Sequence, residues 1–430
     1  MSFEKSFCSS PWFHMRIDSD GTLRYCRWLD RDKDRYSDNI GNTDIKNFFQ
    51  QKISGLRKQM LEGTPVDSCH KCKEMETHNK VSGRQRQLLK TGIRLENFVS
   101  TIKSSTFINE FEKSYQQNGD TNLMPQDWQI DLGNFCNSAC IFCGPNNSSR
   151  LATEFKKLGL ITKLPKKNWA DDPEMLERFI EILDGTKNIA YLHFLGGETI
   201  ITPAFKKILK KLIERGLNKK ASIGLTTNLT VWEPEIIELL TQFKEINLGM
   251  SIECFHEVNN YLRWPSKINE VKEILEKWLR VAAKHKWLTQ LRTTPTVFSI
   301  AHLKNLYDYA FKKNIGIESC NFLTEPAVMK ISLLPYETRQ KISTEIQGWV
   351  DLHKNYDKDE QIVNTRDKNQ VRQYILQDAT SYINYMKNVP EEPHLWQDLV
   401  VYLKKLESSR KNSILDYAPE YEKFLRAAGY

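Results

Sequence analysis

Three cysteines, Cys136, Cys140 and Cys143, stand at spacing Cys-x3-Cys-x2-Cys, with Phe142 just before the last. Cysteine thiolates are the usual protein ligands of iron–sulfur clusters. A [4Fe–4S] cube has four irons, so three thiolates hold three corners and leave one iron open. A metal centre that does chemistry needs such an open position. A zinc site completed by a distant ligand could carry the same triplet, so the elements around it have to be read too.

The triplet follows a short apolar stretch, WQIDLG (128–133). Further strands are expected at AYLHFLG (190–196), SIGLTTN (222–228), INLGMSIE (246–253), QLRTTPTV (290–297) and GIESCNF (316–322). Between them lie helical patterns such as PAFKKILKKLIERG and NEVKEILEKWLRVAAKHK. Pro203 falls at a first-turn position and Gly216 at a stop, as helix ends prefer. Six β/α units in a row predict a parallel sheet with right-handed crossovers. The cysteine loop then falls at the C-terminal edge of the first strand, where α/β folds place their chemistry.

The strands alternate where a strand covered on both faces would be apolar throughout. Leu248, Met250 and Ile252 oppose Asn247, Gly249, Ser251 and Glu253. Ile223 and Leu225 oppose Ser222, Gly224, Thr226 and Asn228. A closed barrel fills its interior with bulky branched residues. Here the inferred inner face is small and polar, which predicts an open, partial barrel whose lumen holds a polar ligand.

The chain resembles the radical S-adenosylmethionine (SAM) enzymes in these features. Their signature is Cys-x3-Cys-x2-Cys after the first strand of a partial (β/α)6 barrel, with an aromatic residue before the third cysteine; Cys136, Cys140, Phe142 and Cys143 match it. The resemblance implies that the open iron binds the amino and carboxylate groups of SAM. It also implies reductive cleavage to a 5′-deoxyadenosyl radical that abstracts a hydrogen atom, with an external flavodoxin- or ferredoxin-like reductant. Gly196-Gly197-Glu198 matches the family's Gly-Gly-Glu motif, which contacts the SAM amino group, although Thr199 replaces the usual proline. Asn228, Ser251, Glu253 and Arg292 lie on the polar face and by resemblance contact ribose, carboxylate or adenine.

Four more cysteines, Cys8, Cys26, Cys69 and Cys72, lie near the N-terminus. Cys69-x2-Cys72 is a chelating turn, and the stretch from Cys8 to Cys26 reads as a hairpin turning at Asp18–Gly21. Together they could close a four-thiolate site for zinc or for a second [4Fe–4S] cluster. The Cys-x-x-Pro-Trp opening at Cys8, the Asp-Gly hairpin, and Cys-x-x-Cys followed by Gly83-Arg84-Gln85-Arg86 resemble a radical-SAM subgroup with an N-terminal SPASM/twitch domain. Many relatives modify ribosomally made peptides, so the resemblance favours a peptide or protein substrate; a nucleotide, nucleic acid or other small molecule is the alternative. Cys254 continues an apolar strand face and reads as core. Cys320 is a candidate hydrogen-atom donor, by analogy with epimerases of the family.

The chain has 430 residues, with 40% hydrophobic and 27% charged, which suits two or three globular domains. The expected domains are 1–100 (small, Cys-rich, SPASM/twitch-like), 101–125 (polar linker), 126–335 (α/β partial barrel) and 336–430 (helical extension). The net charge of +8 is spread over helix surfaces such as Lys206–Lys211, not drawn into a nucleic-acid stripe. No run of 18 apolar residues spans a membrane, and MSFEKSFCSSPWFHM shows no secretion signal, so a cytoplasmic setting is expected. Nine cysteines in that setting argue for metal or redox chemistry over disulfides.

Overall fold

The computed structural model describes residues 6–91, 105–186, 188–319, 322–355 and 368–430. Its centre is one eight-stranded sheet. A hairpin comes first, β1 (His14–Ile17) and β2 (Leu23–Arg24). Six strands follow: β3 (Asp127–Asp131), β4 (Tyr191–Leu195), β5 (Ser222–Thr227), β6 (Ile246–Ser251), β7 (Leu288–Thr293) and β8 (Gly316–Ser319). The order is β2-β1-β3-β4-β5-β6-β7-β8, and every pairing from β1–β3 onward is parallel.

The six-stranded partial barrel expected from the β/α alternation is therefore present, and it is longer on one side. His14 pairs with Asp127 and Ile17 with Ile130, so the N-terminal hairpin is hydrogen-bonded onto the first barrel strand. The hairpin covers an edge whose amides and carbonyls would otherwise lie open. The connection is not wholly a linker either. Ser105–Gln116 is a helix; its Phe111 is buried against Phe7 and Trp12, and Ser114 Oγ accepts from Trp12 Nε1 at 2.7 Å.

Leu248, Met250, Ile252, Ile223, Leu225 and Leu291 are wholly buried between the sheet and its helices. The helix Pro203–Glu214 begins on Pro203 and buries Phe205, Ile208, Leu209 and Leu212; Gly216, at φ 69°, ends it in the left-handed region. The opposite strand faces carry Tyr191, His193, Asn247, Gln290, Arg292 and Glu318, which line the lumen. At the β8 edge the helix Lys368–Asn388 packs against the strand, and Tyr385 stacks on Phe322 at 3.9 Å. Among the described residues, no helix is long and apolar enough to cross a membrane.

Candidate functional site

The loop after β3 carries Cys136, Cys140 and Cys143, and its backbone is tied down on all sides. Ala139 N donates to Trp264 O at 2.8 Å, and Ile141 N to Leu262 O at 2.9 Å. Ser148 caps the next helix, Ser149–Lys157, accepting from Leu151 N while donating to Ser138 O at 2.6 Å. Burial, with a smaller push from neighbouring sulfurs, lifts the Cys136 and Cys143 thiols to about 12, and burial raises Cys140 too. Such thiols become thiolates only when a cation pairs with them. Two positive groups and one amide already favour this: Ser138 N donates to Cys136 Sγ at 3.4 Å, and the Arg263 and Arg410 guanidinia are felt at Cys140. The buried Arg263 forks toward Glu253 at 2.9 Å, with the Phe142 ring 6.0 Å below it.

Gly196 and Gly197 earn their place through this loop. Both have positive φ, 113° and 26°, and a Cβ on Gly197 would overlap the Phe135 carbonyl. The close approach they permit is therefore between the turn after β4 and the start of the cysteine loop. Glu198 N donates to Phe135 O at 2.9 Å. The Glu198 carboxylate is buried and accepts from Ile200 N at 3.2 Å and Asn228 N at 2.5 Å, so it joins the ends of β4 and β5. Burial lifts its pKa to about 7. Asn228 closes the circuit: its Nδ2 donates to Asn137 Oδ1 at 2.9 Å and Ser138 Oγ at 3.1 Å, both inside the cysteine loop.

The structure thus gathers Cys136, Cys140, Phe142, Cys143, Gly196, Gly197, Glu198, Asn228 and Glu253 around one strand-end edge. Ser251 ends β6, half-buried, opposite Arg292 in the register. Arg292 lines the lumen and pairs with Glu318 Oε2 at 3.2 Å. The physical reason is Gly249, whose missing side chain leaves the space that Arg292 fills. Arg86 binds Glu318 from the other side, and the two guanidinia hold that carboxyl well below the usual carboxylate range. Cys254 is fully buried, as expected of core. Cys320 lies outside the described residues.

Cys8, Cys26, Cys69 and Cys72 line one small cavity together with Trp28 and Arg84. Amides point at the sulfurs: Ser10 N at Cys8 Sγ (3.4 Å) and Trp28 N at Cys26 Sγ (3.3 Å). Burial raises all four thiols, and Cys8 is raised also by the other three. His70 turns instead to Asp30, 3.5 Å away. Among the described residues, no three His, Cys, Asp or Glu side chains close on a single-ion site. As donor sets, four thiols here and three at the barrel edge suit iron–sulfur groups.

A cavity of about 600 Å³ opens at the other end of the lumen, by the first residues of the strands. It is lined from three regions: Trp28, Lys80 and Arg86; the lumen residues; and Val371, Tyr374 and Asp378. Its cations face carboxylates: Arg27 faces Asp127, Lys80 faces Asp378, and Arg86 and Arg292 face Glu318. Thr226 Oγ1 and Asn247 Oδ1, on the same polar strand faces, are buried with no hydrogen-bond partner among the described residues. Arg263, Asn137, Glu318, Arg86 and Trp28 were not singled out from sequence as site residues. Two of them had a signal: Glu318 in its place on the polar face of β8, and Arg86 as the end of the Gly83–Arg86 run after the chelating turn.

Residues 130–319 match the family model described as the Radical SAM superfamily. No curated protein matches the chain. Among solved structures it is similar to SuiB of Streptococcus suis bound to S-adenosylmethionine, at 15% identity over 79% of this chain and 69% of that one, TM-score 0.38. It is also similar to anSMEcpe with bound AdoMet, at 19% identity over 52% of this chain and 60% of that one, TM-score 0.38. A third is the radical SAM methyltransferase TsrM from Kitasatospora setae, at 12% identity over 44% and 35%, TM-score 0.31.

Proposed function

Through its barrel the chain belongs to the radical SAM superfamily, and from that premise we propose that it modifies a peptide or protein substrate, with the N-terminal thiols holding an auxiliary [4Fe–4S] cluster. Cys136, Cys140 and Cys143 would hold the first cluster, and the polar strand ends, Asn228 and Ser251 among them, would receive SAM. When bound, cluster and SAM together supply a 5′-deoxyadenosyl radical by one-electron reduction. The chain's own residues do the rest. Glu198 and Asn228 lock the cysteine loop to β4 and β5. Arg263 holds a buried positive charge beside the thiols. Tyr191, His193 and Arg292 floor the cavity where a substrate would meet the SAM end of the lumen.

The observation that carries this reading is the placement of the two thiol groups on either side of one open lumen. Trp28 lines both the four-thiol cavity and the lumen cavity. An auxiliary cluster there would stand next to the substrate. The lining favours a peptide over a phosphate-bearing nucleotide, because each of its four Arg and Lys side chains already faces a carboxylate. A zwitterionic, mixed-polarity ligand suits such a wall, and the volume lies within the range of ligand pockets.

Anaerobically reconstituted, dithionite-reduced protein is expected to release 5′-deoxyadenosine from SAM, and Cys140→Ala is expected to abolish release. Cluster-loaded protein that leaves SAM intact would end the reading. For the substrate, a perdeuterated cell extract is divided into peptide and metabolite fractions. Deuterium should enter 5′-deoxyadenosine from the peptide fraction; entry only from metabolites would favour a small-molecule substrate.

A further inference from the structure

The C-terminal extension does more than cover the barrel. The helix Leu395–Arg410 runs beside the cysteine loop, and two of its side chains end on that loop's backbone. Tyr402 OH donates to Ile141 O at 2.6 Å, and Arg410 Nη2 donates to Ala139 O at 2.9 Å. Ala139 and Ile141 flank Cys140. Their amides are already committed to Trp264 O and Leu262 O. The two residues that flank Cys140 are therefore each held at both their own N–H and their own C=O.

Arg410 is an expensive way to fill that space. Its side chain is 1% exposed, and a guanidinium out of water is costly unless it is paired. Glu154 pairs it through two bonds, Nε to Oε1 at 2.9 Å and Nη2 to Oε2 at 2.6 Å. Trp264 lies under it, 5.0 Å from the ring centre, and Arg150 packs 4.5 Å from the same ring. Arg410 Nη1 is buried with no hydrogen-bond partner among the described residues. A leucine or methionine would fill the volume without this cost. What the guanidinium adds is a fixed donor to Ala139 O and a fixed positive charge near Cys140.

We propose that Tyr402 and Arg410 are positioning residues for Cys140, and that the Arg410 charge raises the reduction potential of the group held at Cys136, Cys140 and Cys143. The first half concerns this chain alone; the second rests on the cluster reading above. A positive charge favours the more reduced, more negative state, so its removal should lower the potential.

The test uses the full chain and three variants, Tyr402→Phe, Arg410→Lys and Arg410→Met. Hydrogen exchange on metal-free protein reads the clamp directly. The Ala139 and Ile141 amides should exchange about tenfold faster in Tyr402→Phe and Arg410→Met, with the barrel strands unchanged. On loaded protein, the cluster whose EPR signal responds to SAM is titrated. Arg410→Met should shift its midpoint downward, and Arg410→Lys should restore most of the shift because it keeps the charge. Tyr402→Phe should leave the midpoint near wild type. Should Arg410→Met fail to fold, Arg410→Lys and Tyr402→Phe still read loop exchange. Unchanged exchange at Ala139 and Ile141 overturns the clamp. An unchanged midpoint in Arg410→Met, or one that Arg410→Lys fails to restore, overturns the charge effect. A wild-type chain with no SAM-responsive cluster would instead overturn the proposed function, and exchange would still decide the clamp.

Discussion

Individual residues at the loop's root are under tight steric and electrostatic control. Gly197 is the sharpest case, because any Cβ there overlaps the Phe135 carbonyl, which is backbone and cannot swing away. Gly197→Ala is expected to cost about 1–3 kcal/mol of stability and to reduce iron retained at the barrel edge, read by urea unfolding and by iron analysis. Asp131 gives a pH signature. It is buried, and burial lifts its pKa to about 6 against the partial relief of Arg16 and the Gly133 amide; Asp18 opposes that relief and Arg31 adds to it. Unfolded, an aspartate titrates near 3.9. Between about pH 4 and 6 the folded chain holds a proton that the unfolded chain has lost, so stability falls as pH rises through that window. The slope is up to about 1.4 kcal/mol per pH unit. Asp131→Asn should flatten it, measured as urea midpoints at pH 4.5 and 7.

At the scale of elements, the lumen is shaped by what two strands omit. Gly224 in β5 and Gly249 in β6 carry no side chain, and Tyr191 and Arg292 lie across the gaps. Gly224→Ala would push the Tyr191 hydroxyl aside, and that side chain can move. The expected result is a folded protein that still releases 5′-deoxyadenosine but forms less product per molecule released, measured by paired chromatography of both. The strand alternation announced this lumen, since Asn247, Gly249 and Ser251 repeat at period two. It could not announce the hairpin's pairing with β3. That contact joins His14 to Asp127 across more than a hundred residues, and strand patterns carry no partner label. Nor could it announce Arg292's turn toward Glu318, which depends on space left by a neighbouring strand. The cysteine triplet was legible because its ligands are close in sequence. Its supports were not: Arg263, Tyr402 and Arg410 are ordinary residues until folding brings them to the loop.

For the whole molecule, the arrangement separates two tasks that sequence order had already divided. Cys136, Cys140 and Cys143 occupy the C-terminal edge of the strands, and Cys8, Cys26, Cys69 and Cys72 line a cavity walled by Trp28. Gly83 packs so closely on Trp28 that a Cβ there would enter the ring, and Arg84 is held by Glu76 through 3.0 and 2.8 Å bonds. The short run Gly83 to Arg86 thereby reaches both places: Arg84 faces the four thiols and Arg86 faces Glu318 in the lumen. If the two thiol groups hold separate clusters, a lesion in one should spare the other. Wild-type protein should carry roughly eight irons, as two cubanes, and Cys72→Ala roughly four. That variant should keep SAM cleavage, because the barrel-edge loop is held by Asn228, Tyr402 and Arg410, yet lose product, because the substrate-side cluster is gone. One zinc with four irons in the wild-type chain would reassign the N-terminal site to a structural staple. Loss of SAM cleavage by Cys72→Ala at wild-type unfolding midpoint would show instead that the two sites act as one.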